Sequence, residues 1–180
     1  YIGDRARFPS KPGRIFKLDL SGSATLFADG LRDPVGLTFD NSGNLFVVEM
    51  TGRVLKITPE GQISVLCQIQ KAPRSITFDP ISGDLFVFAV GTDETLRITL
   101  EGIVSALPVK FDKDIFTATL AADGQGNILT YVIYRENFGV GPTLSDLFKI
   151  TPDGKKTLLA SFVDEVPAIE GSIAVSPVGD

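Results

Sequence analysis

The chain of 180 residues contains no histidine and no tryptophan, and it has a single cysteine and a single methionine. Without histidine, Ser-His-Asp and Cys-His catalysis, histidine-based proton transfer and every histidine-containing metal site are excluded within this chain. Cys67 alone cannot form an intramolecular disulfide. Because it lies in the apolar run 65–69, we predict a buried side chain rather than a nucleophile.

Long apolar runs and positive charge are also scarce. No run approaches the roughly 18 apolar residues that a membrane helix needs. The 17 Lys and Arg against 22 Asp and Glu give a net charge of -5, whereas nucleic-acid binding rests on a basic surface. The composition therefore predicts neither a membrane helix nor a nucleic-acid partner. It leaves the compartment open, with a secreted or periplasmic bacterial protein as our expectation.

What the chain does contain is one motif in four copies, in which alternating apolar residues lead to a turn closed by glycine. The copies are residues 13–22, 52–61, 94–102 and 145–154, and their closing glycines lie 39, 41 and 52 residues apart. A period near 40 residues in β-rich units predicts a β-propeller.

A four-strand unit surrounds each copy of the motif, because strand-like alternation and Gly-Asn or Gly-Asp turns recur at fixed offsets. The predicted first strands are 35–40, 74–79, 118–123 and 171–176, and the second strands are 45–48, 85–88 and 128–131. In the first strands, a row of small residues (Gly36, Ser75, Thr119 and Ser172) is predicted to face the central channel. Phe39 and Phe78 repeat at one position and are predicted to lie in the core.

The predicted fold class is all-β, a β-propeller of four-stranded antiparallel blades in a single domain, 1–180. The blades are residues 1–33 with 171–180, 34–72, 73–113 and 114–170, so one blade is split between the termini. Two arrangements fit this pattern. Either the ends meet in a closed four-bladed ring, or the four blades belong to a larger propeller, for which association with another copy of the chain would serve.

Residues 34–47, which read P-x-G-L-x-F-D-x-x-G-N-L-F-V, resemble the NHL-repeat and gluconolactonase-like (SMP-30-like) propellers, most of which are six-bladed. That group includes lactonases, lyases and non-catalytic binding modules. Its lactonase branch implies a divalent cation, with one ligand from an Asn that corresponds here to Val35. The counterparts of Val35 in the other repeats are Arg74, Ala118 and Gly171, and none supplies the oxygen that a hard cation prefers. The lyase branch depends on histidine, so the resemblance implies the fold more strongly than an enzyme.

The candidate ligand-binding residues lie on the face formed by loops that enter first strands and loops that join second to third strands. Arg74 would suit an anion or a carboxylate, or would pair with Asp33, Asp114 or Glu170. Glu49 and Asp4 share a repeat position, which favours a structural role in the turn over paired acid-base catalysis. The last of these blades, residues 114–170, has an insertion at 133–143, which is a candidate binding loop. The candidates are Arg74, Asp33, Lys113, Asp114, Glu170, Glu49, Arg135, Tyr134 and Phe138.

Three functions follow as hypotheses. The first is a non-catalytic module that binds a protein, peptide or glycan on this charged face, with no cofactor, no catalytic residue and no metal ligand. The second is a calcium-dependent hydrolase or lactonase that uses carboxylates such as Glu49, Asp114 and Glu170. The third is a structural assembly unit, a homo-oligomer in which blades close between chains.

Overall fold

The computed structural model describes residues 1–4, 12–134, 143–164 and 173. The described residues form 15 strands. Their bounds are β1 Ile2–Asp4, β2 Gly13–Leu18, β3 Ala24–Leu31, β4 Pro34–Phe39, β5 Leu45–Glu49, β6 Arg53–Ile57, β7 Ile63–Gln68, β8 Ala72–Asp79, β9 Asp84–Val90, β10 Glu94–Ile98, β11 Val104–Ala106, β12 Ile115–Ala122, β13 Ile128–Tyr134, β14 Thr143–Ile150 and β15 Lys156–Asp164.

The strands form four separate antiparallel sheets, which we call blades 1 to 4. Blade 1 has the order β1-β2-β3, and blades 2, 3 and 4 have the orders β4-β5-β6-β7, β8-β9-β10-β11 and β12-β13-β14-β15. This arrangement confirms the predicted all-β fold and the four-stranded antiparallel blades. The strand assigned to blade 1 at 171–176 lies outside the described residues except for residue 173, so the split blade stays a prediction. The single-domain boundaries also stay a prediction.

The second strand of each inner blade is buried on both faces, because a blade is packed between two others. In β5, Leu45 and Val47 join the cluster shared with blade 1, whereas Phe46 and Val48 join the cluster shared with blade 3. All four have no exposed surface. Since successive side chains of a strand point to opposite faces, one apolar run can serve two cores.

Two members of the row of small residues in the first strands, Gly36 and Ser75, lie against the next blade, so the prediction that these two face the channel is wrong. Ser172 lies outside the described residues. A Cβ added to Gly36 would lie 3.1 Å from Cγ2 and 3.2 Å from the backbone nitrogen of Ile76 in the neighbouring strand. Ser75 is 8% exposed, and its hydroxyl accepts a hydrogen bond of 3.0 Å from the Leu120 N–H. Gly36 and Ser75 are small because adjacent innermost strands converge there.

Hydroxyl groups join these innermost strands. The Thr38 hydroxyl accepts from the Phe78 N–H at 3.2 Å, and the Thr77 hydroxyl accepts from the Ala122 N–H at 3.2 Å. Each bond satisfies a backbone donor at a sheet edge, where no further strand of the same blade can pair with it.

The expectation that Phe39 is a core residue is also wrong, because its side chain is 38% exposed. Phe39 ends β4 on the side facing blade 1, where its ring meets Tyr1 edge to face at 4.9 Å. Phe78, at the same repeat position, faces blade 2 and is partly buried against the core between blades 2 and 3.

Candidate functional site

The loop face consists of the described hairpins 49–53 and 90–94 together with the segments that enter innermost strands, 31–34, 68–72 and 107–115. Three predicted site residues, Arg135, Phe138 and Glu170, lie outside the described residues. The structure describes the other six, which are Glu49, Tyr134, Lys113, Asp114, Arg74 and Asp33.

Glu49 is fully buried at the end of β5 and is held inside the chain. Its Oε1 accepts a hydrogen bond of 2.7 Å from the Arg32 N–H, and its Oε2 lies 2.9 Å from Nε of Arg53. The Thr51 hydroxyl adds a weak hydrogen bond at 3.4 Å. The carboxylate therefore ties the hairpin of blade 2 to the segment that enters this blade.

Blades 1 and 3 contain related ties. In blade 1, Asp4 and Arg14 occupy the repeat positions of Glu49 and Arg53, and they pair at 2.7 Å with a little under half of each side chain exposed. In blade 3 the signs are reversed, because Glu94 stands at the arginine position and pairs with Lys71 from the entering segment. These charges stabilise loops, which accounts for much of the charge on this face.

In blade 4, an aromatic ring takes the place of the ion pair that stabilises the loops of the other blades. Tyr134 is 4% exposed, and its hydroxyl donates to Oδ2 of Asp146 at 2.6 Å. Nζ of Lys113, in the entering segment, lies 4.8 Å from the centroid of the Tyr134 ring, a cation–π distance. The structure thus brings together two of the predicted residues, Tyr134 and Lys113, at the edge of blade 4. Asp114, the next residue, is exposed.

Arg74 and Asp33 both contact Met50, the residue that follows Glu49. Nη1 of Arg74 lies 3.5 Å from the Met50 sulfur, and the Met50 N–H donates to the Asp33 carbonyl at 2.9 Å. Asp33 has a φ of 55°, in the left-handed region that Asp tolerates better than most residues. Across the described ranges, no carboxylate lies within ion-pair distance of Arg74.

A cleft that the sequence reasoning did not single out opens on the loop face of blade 3. Its volume is about 690 Å³, within the range of small-ligand pockets. One wall is the hairpin residues Thr92, Asp93 and Glu94, and the other is the segment Leu107, Pro108, Val109, Lys110 and Phe111. The sequence held one signal for it. The mainly apolar segment 107–111 follows a fourth strand of only three residues, and within it the Leu107 N–H donates to the Thr95 carbonyl of blade 3.

The floor and the rim of this cleft differ in character. The Phe111 ring lies between Phe88 at 6.0 Å and Phe148 at 5.6 Å, with Nζ of Lys156 at 4.9 Å from its centroid. At the rim, Oδ2 of Asp93 accepts a long hydrogen bond of 3.4 Å from the Ile115 N–H. The other oxygen of Asp93 is shielded from solvent and has no hydrogen-bond partner among the described residues.

The described residues give little support to a reactive cysteine, a metal site or a membrane helix. Burial raises the pKa of the Cys67 thiol to about 11, so the thiol stays protonated near neutral pH. No group of three or more Asp, Glu or Cys side chains that could hold a metal ion occurs among the described residues. Val35 packs against the core between blades 2 and 3, so the calcium site that the resemblance implied does not fit this position. No helix in the described ranges is long and apolar enough to cross a membrane.

Comparison with known proteins decides the fold. No protein-family model and no curated protein matches the chain. Among solved structures, virginiamycin B lyase from Staphylococcus aureus is similar, with a TM-score of 0.59 and 18% identity over 81% of this chain and 48% of that chain. The fold is a β-propeller.

Two further solved structures have the same propeller architecture. A chain of a nidogen/laminin complex matches with a TM-score of 0.67 and 13% identity over 88% of this chain and 60% of that chain. A gluconolactonase from Xanthomonas campestris matches with a TM-score of 0.61 and 17% identity over 89% of this chain and 59% of that chain. The chain thus spans about half the length of the structures it matches. The predicted resemblance to gluconolactonase-like propellers has its counterpart in this last structure, and at such identities the likeness concerns the fold alone.

Proposed function

We propose that this propeller is a binding module that takes a peptide segment of a partner protein in the cleft on blade 3. The observation that carries the proposal is the cleft itself, which combines apolar side chains, Leu107, Pro108 and Val109, with the charged residues Asp93, Glu94 and Lys110. Apolar walls with a few charged groups at fixed positions are typical of ligand-binding clefts.

The walls of the cleft favour a peptide over a glycan. Leu107, Pro108 and Val109 offer apolar contact to a side chain, while Asp93 and Lys110 can bind a backbone amide and a carbonyl or carboxylate. Among the described lining residues, no aromatic face is open for a sugar ring to stack on. The Phe111 ring is already enclosed by Phe88, Phe148 and Lys156.

The position of Glu49 favours binding over hydrolysis. Glu49, one of the three carboxylates that the lactonase hypothesis required, is buried in an ion pair with Arg53. The guanidinium of Arg74 stands where that hypothesis would place a cation ligand, and it would repel a divalent ion. Calcium-dependent hydrolysis therefore stays a hypothesis without a supporting observation in the described residues.

The experiment selects peptides from a random display library on the immobilised chain and measures their Kd by calorimetry. Asp93 has a φ of 52°, a conformation that Asn adopts as readily as Asp, so Asp93→Asn removes the charge without straining the backbone. We expect Asp93→Asn to raise Kd about tenfold, equivalent to about 1.4 kcal/mol, with an unchanged melting temperature.

Asp33→Asn is the matched control, because Asp33 lies on the same face with nearly the same φ. It should leave Kd within about twofold. If Asp33→Asn weakens binding and Asp93→Asn does not, the site is the cluster of Asp33, Met50 and Arg74, and the cleft is the wrong assignment. If the library yields no binder and a glycan array does, the ligand is not a peptide.

A further inference from the structure

The seam of a blade, the line along which its third and fourth strands pair, continues to the start of the third strand in blades 2 and 4. There the first residue of the third strand pairs with the fourth strand, Arg53 with Gln68 and Thr143 with Asp164. In blade 3 the paired residues of the seam already end at Leu96, the third residue of its strand. The cleft on blade 3 therefore lies where two other blades continue their sheet.

In blade 2, two hydrogen bonds extend the closed seam over the hairpin. The Ile69 N–H donates to the Gly52 carbonyl at 2.9 Å, and the side-chain amide of Gln68 donates to the Thr51 carbonyl at 2.9 Å. The approach is close, because a Cβ added to Gly52 would lie 2.1 Å from the Ile69 carbonyl oxygen. The end of the fourth strand thus satisfies two main-chain acceptors of the hairpin.

Two residues keep the seam of blade 3 open. Asp93 stands at the repeat position of Gly52, also with a positive φ, and its Cβ prevents the following segment from approaching as Ile69 does in blade 2. By the register of the seam, Pro108 takes the place of Gln68. Proline supplies neither an N–H group nor a side-chain amide.

The segment around Pro108 turns away from the hairpin instead. The Val109 N–H donates to the Leu107 carbonyl at 2.8 Å. Within the described ranges, no hydrogen bond reaches the main-chain carbonyl of Thr92 or that of Asp93. Both residues line the cleft, so the two acceptors that blade 2 satisfies within the chain are left to a ligand in blade 3.

We propose that the peptide in the cleft lies as an extended strand in place of the missing end of the fourth strand of blade 3. This inference rests on the proposed function and states how the ligand is recognised. One backbone N–H of the peptide donates to the Asp93 carbonyl. The carboxamide of a Gln or Asn just before it donates to the Thr92 carbonyl, as Ile69 and Gln68 do in blade 2.

A separate segment can make these bonds where the chain itself cannot. Ile69 is held close to Gly52 because the chain enters the next blade at Ala72, three residues later. A peptide has no such connection, so its carbonyl can turn away from the Cβ of Asp93. Binding of this kind is strand addition, in which main-chain hydrogen bonds supply affinity and side-chain contacts supply specificity.

Ester substitution of the selected peptide tests the main-chain bond. Each backbone amide in turn is replaced by an ester, which removes one N–H group and changes the shape little. We expect one position to raise Kd about tenfold, while substitutions outside the contact stay within about threefold. At the residue before that position, replacement of Gln by Glu, or of Asn by Asp, should raise Kd by a similar factor.

Carbon-13 NMR of the chain locates the acceptor. The carbonyl carbon of Asp93 should shift downfield when the peptide binds, and the shift should be smaller with the ester that weakens binding. The carbonyl of Gly52 is the matched control, because it already has its donor in Ile69 and should not move.

A peptide that binds in the cleft but tolerates every ester, or leaves the Asp93 carbonyl unshifted, would overturn this inference and leave the proposed function standing. A peptide that tolerates the loss of its carboxamide would overturn the part that concerns Thr92. A library without any binder, or a binder that Asp33→Asn weakens and Asp93→Asn does not, would overturn both the proposed function and this inference.

Discussion

Oε2 of Glu49 lies 2.9 Å from Nε of Arg53, and Glu49 has no exposed surface, whereas Asp4 and Arg14, at the same positions of the preceding repeat, form an exposed pair. The same ion pair between hairpin strands is thus buried in one repeat and exposed to solvent in the other. The two pairs differ in what they contribute to stability, because desolvation makes the loss of one partner of a buried pair costly.

Glu49→Gln should therefore lower the free energy of unfolding by about 3 kcal/mol, since it leaves the Arg53 guanidinium without its counter-charge. Asp4→Asn should cost less than about 1 kcal/mol, as for other surface pairs. Urea unfolding at pH 7 measures both. Equal effects of the two substitutions would show that burial does not set the strength of this tie.

Thr130→Val should stabilise the protein by about 1 kcal/mol. Thr130 is fully buried, its hydroxyl has no hydrogen-bond partner among the described residues, and the same repeat position holds Val47 and Val87. The methyl group replaces a hydroxyl whose desolvation is uncompensated. Val87→Thr, the reciprocal change, should destabilise by a similar amount. Thermal unfolding of both variants is the measurement, and a lower melting temperature for Thr130→Val would contradict the prediction.

Ser75→Ala should cost about 1–3 kcal/mol, because it leaves the Leu120 N–H at the edge of an innermost strand without its acceptor. Ser64→Ala is the control, since Ser64 is exposed and donates only a long hydrogen bond of 3.3 Å to the Lys56 carbonyl. Hydrogen exchange should show faster exchange of the Leu120 amide in Ser75→Ala alone. Unchanged exchange there would mean that the hydroxyl does not join blades 3 and 4.

The turn at 123–127 should make stability depend on pH. Burial alone would raise the pKa of Asp123, but hydrogen bonds from the Asn127 side chain and from the Gln125 and Asn127 N–H groups hold this pKa below the ordinary 3.8. A depressed pKa contributes stability above the unfolded value, and that contribution is lost as pH falls through the folded value.

The stability difference between wild type and Asp123→Ala should therefore be constant from pH 7 to pH 5 and shrink below about pH 4. Urea unfolding at pH 7, 5 and 3 measures this difference, with Asn41→Ala, an exposed turn residue, as the control. A difference that stays the same at pH 3 would mean that the ionised carboxylate is not what the turn stabilises.

The strands could be predicted closely from the repeat because the apolar alternation is strong in every copy. The second strand predicted at 85–88 extends to Asp84–Val90, and the third strand predicted from the motif at 52–61 is Arg53–Ile57. What the pattern could not give is the side on which a small residue lies. Gly36 and Ser75 are small for the distance between neighbouring strands, and single-strand periodicity carries no information on that distance.

The candidate site was only partly predictable for a related reason. Charge on the loop face was visible in the sequence, but the partner of each charge was not, and Glu49, Tyr134 and Lys113 proved to form internal contacts. The cleft depends on how segment 107–111 crosses from blade 3 to blade 4. That path is set by the packing of Phe111 between Phe88 and Phe148, which are distant in sequence.

The most direct test of the proposed function is amide hydrogen exchange of the chain with and without a saturating selected peptide. If the cleft on blade 3 is the binding site, exchange slows in the segments 92–94 and 107–111 and stays unchanged in the turn 40–44 on the opposite face. Protection confined to the segments around Asp33 and Arg74, or no protection in either wall of the cleft, would contradict the assignment.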